Sequence, residues 1–210
     1  MSQSFASRTD FVVAKLQEQS PDSILDVGFI GEYKDPFIHA ALLKNFPDSH
    51  VTGIDMNDKI KTYVSDQRRR YVQKSVFDLD KDVSFKGLFA GVVFCEVFEH
   101  LHQPYAALHQ LHAVLQPGGV LVMTWPNPLS FTIFMRYLRQ RDVGDKTFLK
   151  SYLGADDHKI FPMPPCMVAY LNSIGFTNIE VHFLKGRMSR WPMLNKFSSY
   201  VGISAKKAGG

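Results

Sequence analysis

Cysteine is scarce: the chain of 210 residues has two, Cys95 and Cys166. They lie far apart, each beside apolar neighbours, and read as reduced core thiols of a cytoplasmic protein rather than a disulfide framework or a metal cluster. Long apolar runs are missing too, and none approaches the ~20 residues that span a bilayer. Met1-Ser2-Gln3-Ser4-Phe5 lacks the basic start and apolar stretch of a secretory signal. Nor does charge of one sign dominate. Lys and Arg number 24 against 20 Asp and Glu, and apart from Arg68-Arg69-Arg70 the basic residues are spread along the chain. A nucleic-acid binder gathers its charge into a dense stripe, so small molecules are the expected partners, with neither nucleic acid nor membrane among them. The mild excess of +4 favours anionic ones. Internal repeats, low-complexity linkers and a G-x-G-x-x-G fingerprint are also absent, which leaves a nicotinamide-dependent oxidoreductase without its main signature.

What is present is a regular alternation. The length suits one domain, and a hydrophobic share of 45% supplies its core. Residues 4–19 carry apolar side chains at helical spacing. Ile24-Leu25-Asp26-Val27 is a short apolar run ending at Gly28, the pattern of a buried strand entering a tight turn. A helix over Phe37–Phe46, with Pro36 near its first turn, precedes a second strand, His50–Ile54. A weaker strand follows near Tyr71–Gln73, then a strongly apolar one over Leu88–Phe94. A helix runs from Pro104 through Val114, and Pro117-Gly118-Gly119 turns the chain into a strand over Val120–Thr124. Helices around Phe131–Arg141 and Pro165–Ile174 and strands near Ile179–Phe183 and Tyr200–Ala205 complete the chain. Strands alternating with helices predict a Rossmann-like, doubly wound α/β fold: a mostly parallel seven-stranded sheet with helices on both faces. Ligands of such sheets bind outside the carboxyl ends of the strands.

The polar residues that interrupt the apolar pattern fall at those ends. Gly28 and Gly31 follow the first strand, where glycine permits positive φ and close backbone approach; by themselves they are equally turn glycines. Asp55 ends the second strand, 27 residues past Gly28. An acid there can accept both hydroxyls of a ribose, or simply cap a strand. Asp78, in Ser75-Val76-Phe77-Asp78-Leu79, can accept from an exocyclic amine or serve as a turn aspartate.

The stretches Glu96-Val97-Phe98-Glu99-His100-Leu101-His102-Gln103-Pro104 and Leu115-Gln116-Pro117-Gly118-Gly119-Val120-Leu121 resemble the class I S-adenosylmethionine-dependent methyltransferases, in particular the small-molecule branch with an E-V-x-E-H-x-x-x-P loop. The likeness runs from about Ile24 to Val181. It includes Asp156-Asp157-His158-Lys159-Ile160-Phe161 and Leu171-Asn172-Ser173-Ile174-Gly175-Phe176, similar to that branch's late H-x-x-F and A-G-F signatures. The resemblance implies one methyltransferase domain over residues 1–210, with an N-terminal helix within 1–20, a lid over the acceptor at 126–165 and a loop at 184–199 before the last strand. It implies S-adenosyl-L-methionine as cofactor. Gly28 and Gly31 would lie under its methionine part, with the Phe29 and Ile30 backbone nearby, and Asp26 would count among the cofactor-binding residues. Asp55 would hold the ribose, Met56 would lie against adenine, and Asp78 and Leu79 would meet the adenine edge. Cys95 and Glu96 would line the methionine side. The branch's first loop reads D-x-G-x-G-x-G, whereas Ile30 and Glu32 stand at its second and third glycine positions here. That departure keeps open a catalytically degenerate cofactor-binding or scaffold protein on the same fold.

A hydroxyl acceptor must lose a proton, and His100 and His158 are the candidate bases, because a histidine titrates near neutral pH; each can equally be structural. His109 and His112 share a helical face, but no acid or cysteine completes a metal spacing with them, so they read as solvated positions and no metal is expected. Arg136, Arg139, Arg141, Lys146 and Lys150, interleaved with Tyr137, Phe148 and Tyr152, would cover the acceptor, and Lys185–Trp191 forms a second basic-aromatic stretch. Such a lid suits a phosphorylated or otherwise anionic small-molecule acceptor, or else is a solvated helix face and a packed loop. Saccharide or natural-product biosynthesis is compatible with the resemblance. A catalytic N/D-P-P-Y/F sequence, which would point to a nucleic-acid methyltransferase, is lacking.

Overall fold

Residues 5–31, 37–139, 158–184 and 195–209 are described by the structure, a computed structural model. Seven strands form its sheet: β1 (Ser23–Val27), β2 (His50–Asp55), β3 (Arg69–Gln73), β4 (Phe89–Cys95), β5 (Leu115–Pro126), β6 (Phe176–Leu184) and β7 (Tyr200–Lys207). Their spatial order is β3-β2-β1-β4-β5-β7-β6. The first five pair in parallel, and β7 runs antiparallel to both β5 and β6. The expected mostly parallel sheet is what forms.

Alternation along the central strands sorts the core into two layers. Val93 and Cys95 of β4, with Val120 and Val122 of β5, face α1 (Arg8–Gln17) and α2 (Phe37–Asn45), meeting Phe11, Val12, Leu16 and Leu42. Val92 and Phe94, with Leu121 and Met123, face α3 (Pro104–Val114) and α5 (Pro164–Ser173), meeting Leu108, Leu111, Met167 and Leu171. Runs apolar on both faces are what a sheet covered by helices on both sides requires.

Helix α1 is shorter than the expected 4–19. Ser7 Oγ accepts from the Asp10 amide at 3.0 Å, capping its start, and Ser20 takes φ 46° just past its end. Helix α4 (Phe131–Arg139) follows β5 after Ser130, whose Oγ accepts from the Ile133 amide at 3.2 Å. The strand expected at Val120–Thr124 extends over Leu115–Pro126. Its pairing with β4 jumps from Phe89 opposite Leu115 to Gly91 opposite Val120, so Pro117-Gly118-Gly119 is a bulge inside the strand, with Gly118 at φ 78°. One cysteine reading needs correcting: Cys95 is buried, but Cys166 is exposed on α5, because the apolar side of that short helix is formed by Met167 and Leu171 instead. Both thiols are free. Among the described residues no helix is long and apolar enough to cross a membrane.

Candidate functional site

At the carboxyl ends of β1 and β4, where the strand order reverses, lies a cleft of about 360 Å³. Gly28, Ile30, Gly31, Asp55, Met56 and His100 are on its walls, with Val76, Phe77, Val97 and Leu101 adding apolar surface. Size and lining are those of a small-molecule site.

The first loop shapes its floor. Gly28 turns with φ 65°, and its amide donates to the Ile54 carbonyl at 2.7 Å. Phe29 then folds inward and is buried, its ring stacked on His39 at 4.4 Å between centroids. It sits on Gly53, where a β-carbon would stand 2.6 Å from the ring. His39 is locked in turn: Nδ1 lies 2.9 Å from Asp26 Oδ2 and Nε2 lies 3.0 Å from the Tyr71 hydroxyl. Asp26 thus acts on the loop through a buried histidine. Ile30 is half-buried on the cleft wall; Glu32, the other departure from the glycine pattern, lies outside the described residues.

Asp55 is held at two points. Oδ2 accepts from the Ile30 amide and Oδ1 from the Asn57 amide, both at 2.8 Å. Backbone donors orient the carboxylate, and each oxygen keeps lone-pair capacity toward the cleft. Met56, 64% exposed, overhangs the mouth. Asp78 and Leu79 are placed differently from these. Val76 and Phe77 reach the cleft, while the Asp78 carboxylate accepts from Lys81 Nζ at 2.6 Å and Leu79 is buried in the core. The Lys81 ammonium holds the Asp78 carboxyl below its ordinary range.

Beside the cleft, with Gly28 lining both, is a separate crevice of about 20 Å³ lined by Arg8, Asp26, Phe29, Cys95 and Glu96, among others. Glu96 takes φ 53°, a conformation that costs a residue with a side chain about 1–3 kcal/mol and that gathers at functional sites. Its Oε1 accepts from Thr124 Oγ1 at 2.9 Å, and its Oε2 lies 2.9 Å from Arg8 Nη1. Arg8 also lies over the Tyr200 ring, 4.4 Å from its centroid. Burial pushes the Cys95 thiol up to about 12, so it is an apolar wall and not a nucleophile.

At the other wall Phe98–His100 forms a single 3-10 turn. The Lys159 amide donates to the Glu99 carbonyl at 2.6 Å, which brings His158 against His100 with ring centroids 4.6 Å apart. The Trp125 Nε1–H donates to the Pro162 carbonyl at 3.0 Å and secures the same segment from β5. Glu99 is fully buried, and its Oε1 is 3.9 Å from His100 Nε2. One ligand atom each from Glu99, His100 and His158 falls within 4.8 Å of the others. The expectation of solvated histidines on α3 holds for His109, which is exposed. It fails for His112, which is half-buried against Phe176 at 5.0 Å between centroids.

Structure therefore joins Gly28, Ile30, Gly31, Asp55, Met56 and His100 in one cleft and gathers Asp26, Phe29, Cys95 and Glu96 in the crevice beside it. Arg8, His39 and Thr124 were not legible as site residues, because Arg8 and His39 reach the site from helices that carry no motif and Thr124 lies on β5 beyond its motif. Glu99 stood within a quoted motif without a role; the pairing of two acids with a histidine was its only signal. Of the basic-aromatic lid, Arg141, Lys146, Phe148, Lys150 and Tyr152 lie outside the described residues, as does Lys185–Trp191.

A family model for a methyltransferase domain matches residues 2–180. Over 91 residues the chain is 30% identical to a ubiquinone biosynthesis O-methyltransferase of Marinobacter nauticus, a match covering 40% of this chain and 38% of that enzyme. Its fold is similar to that of a SAM-dependent methyltransferase from Archaeoglobus fulgidus, with a TM-score of 0.65 and 16% identity over 95% of this chain and 94% of the other. It is also similar to the 1,6-didemethyltoxoflavin-N1-methyltransferase of Burkholderia thailandensis, solved with its acceptor and S-adenosylhomocysteine: TM-score 0.60, 17% identity, 96% and 78% coverage.

Proposed function

The chain belongs to the methyltransferase-domain family, and from that premise we propose that it transfers the methyl group of S-adenosyl-L-methionine to a small-molecule acceptor. The observation that carries this reading is Asp55, a carboxylate oriented by two backbone amides at the mouth of an apolar cleft. The residues fit that cofactor. Asp55 has lone pairs for two ribose hydroxyls, and Ile30, Met56, Val76 and Phe77 offer apolar surface to a purine. In the adjoining crevice the Arg8 guanidinium and Glu96 carboxylate pair with each other, and only by opening that pair do they offer one charge of each sign to an amino-acid zwitterion. Asp78 serves the adenine edge in this reading only by leaving Lys81, whose exposed pairing is weak.

When bound, the cofactor supplies a methyl group already activated by its sulfonium, so the protein's part is chiefly alignment. Phe29, Gly53, His39 and Asp26 hold the first loop rigid, which fixes one reactant. In this reading His100, on the cleft wall, and His158, packed against it, deal with the acceptor's proton, since a neutral imidazole can take it from a hydroxyl. A saccharide or natural-product intermediate, including an anionic one drawn to the basic residues beyond α4, is the acceptor class that the sequence resemblance supports. Isothermal titration with S-adenosylhomocysteine tests the reading. Micromolar binding is expected; none at millimolar concentration would favour the degenerate scaffold that Ile30 raises.

A further inference from the structure

We propose that Glu99, His100 and His158 form a binding site for a transition-metal dication on the acceptor side of the cleft. The inference rests on the methyl-transfer reading for its role, though not for its existence.

Three observations converge. The first is convergence from two chain segments: Glu99 and His100 follow β4, and His158 precedes α5. The Lys159–Glu99 backbone bond joins the segments, and Trp125 holds the later one through Pro162. Ligand atoms within 4.8 Å of one another, with Glu99 Oε1 3.9 Å from His100 Nε2, need only small side-chain rotations to close around an ion at the ~2.0–2.2 Å typical of nitrogen and carboxylate ligands of zinc. Second, the donor set is informative. Two imidazoles and one carboxylate suit zinc and its first-row neighbours, whereas magnesium and calcium favour all-oxygen shells. Three protein ligands also leave open positions, as in catalytic rather than structural sites. Third, burial is graded. Glu99 is fully buried, while the His100 side chain keeps 30% of its surface and lines the cleft. A buried carboxylate is stabilised by a cation beside it, and the half-exposed imidazoles let a ligand in the cleft reach that cation.

An ion placed there has a defined task. A hydroxyl of the acceptor occupies an open position, its O–H bond breaks heterolytically, the electron pair stays on oxygen and the proton passes to bulk water. A second oxygen on the neighbouring carbon can fill another position, so the favoured acceptors carry paired oxygens. With their lone pairs on the ion, the imidazoles serve as ligands, and the ion performs the acidification that a free imidazole would otherwise perform.

The test uses the full chain, stripped with a chelator and dialysed, then titrated with Zn²⁺ by calorimetry and with Co²⁺ by visible absorption. One ion per chain is expected, with a Co²⁺ spectrum of low coordination number. Glu99→Gln, His100→Ala and His158→Ala should each weaken uptake by about 100-fold or more, beyond the 10–100-fold typical of outer-shell changes, while His109→Ala leaves it unchanged. Glu99→Gln preserves shape and covers the case in which an alanine variant does not fold. Uptake that is absent, or equal in wild type and the Glu99→Gln variant, overturns the site. S-adenosylhomocysteine titrated into the stripped protein separates the two claims: metal uptake without its binding keeps the site and sinks the methyl-transfer reading, and the reverse does the opposite.

Discussion

Asp55 carries the sharpest expectation at the scale of single residues. Its two amide donors fix the carboxylate whether or not a ligand is present. Asp55→Ala should therefore remove charge-assisted bonds to a ligand together with the two amide bonds that anchor Ile30 and Asn57. A loss of about 1.5–3 kcal/mol in S-adenosylhomocysteine binding is expected, read by calorimetry; a folded variant with native affinity would refute the ribose role. His100→Ala and His158→Ala should each lower turnover by roughly 10²–10⁴-fold once an acceptor is known, and retention of full turnover by both would remove histidine from the chemistry. His112 makes a prediction about pH. Burial, and then Lys207, push its imidazole below the ordinary range. The unfolded chain takes up that proton near pH 6.5 and the folded chain only lower down. Between those points the unfolded state holds more protons, so stability falls as pH drops through the window. His112→Gln should flatten that part of the curve, measured as urea midpoints at about pH 7.5 and about pH 5; parallel curves would show that His112 is not responsible.

Two glycines separate stability from binding at the scale of elements. At Gly202 on β7 a β-carbon would stand 2.6 Å from Phe11 Cε1 and 2.9 Å from Leu184 Cδ1, pressing on α1 and not on the first loop. At Gly53 on β2 it would stand 2.6 Å from the Phe29 ring, which supports the first loop. Either change to alanine should cost about 1–3 kcal/mol of overpacking, visible as a lower Tm. Only Gly53→Ala should also weaken S-adenosylhomocysteine; equal affinities in the two variants would mean that Phe29 does not shape the site. These contacts also mark where reading the sequence stopped. The parallel strands were legible because both-faced burial leaves continuous apolar runs such as Val92-Val93-Phe94, and Asp55 was legible because it breaks such a run at its end. The bulge at Pro117–Gly119 was not, since proline and glycine signal a turn without saying that pairing resumes on both sides of it. Arg8 and His39 were not either: they sit on helices whose periodicity reports the buried face, and what each side chain meets is fixed only when the helices dock on the sheet.

Taken as one body, the molecule places its ligand cleft where β1 and β4 diverge, so loops from both halves of the sheet must be folded for it to exist. A ligand that needs all of them should stabilise the whole. At a concentration 100 times its Kd, S-adenosylhomocysteine should add about 2.7 kcal/mol to the unfolding free energy, and a single thermal transition should move upward; a shift confined to one of two transitions would contradict a single cooperative domain. The order of strands has a consequence for assembly. Among the described strands, β6 pairs only with β7, and β7 is the last made, yet it lies between β5 and β6. Until Tyr200–Lys207 takes its place, β5 offers an unpaired edge and β6 has no strand to pair with. Such edges invite pairing with neighbouring chains. The chain is therefore most open to association with its neighbours whenever β7 is out of its slot, even if the parallel half of the sheet is already formed.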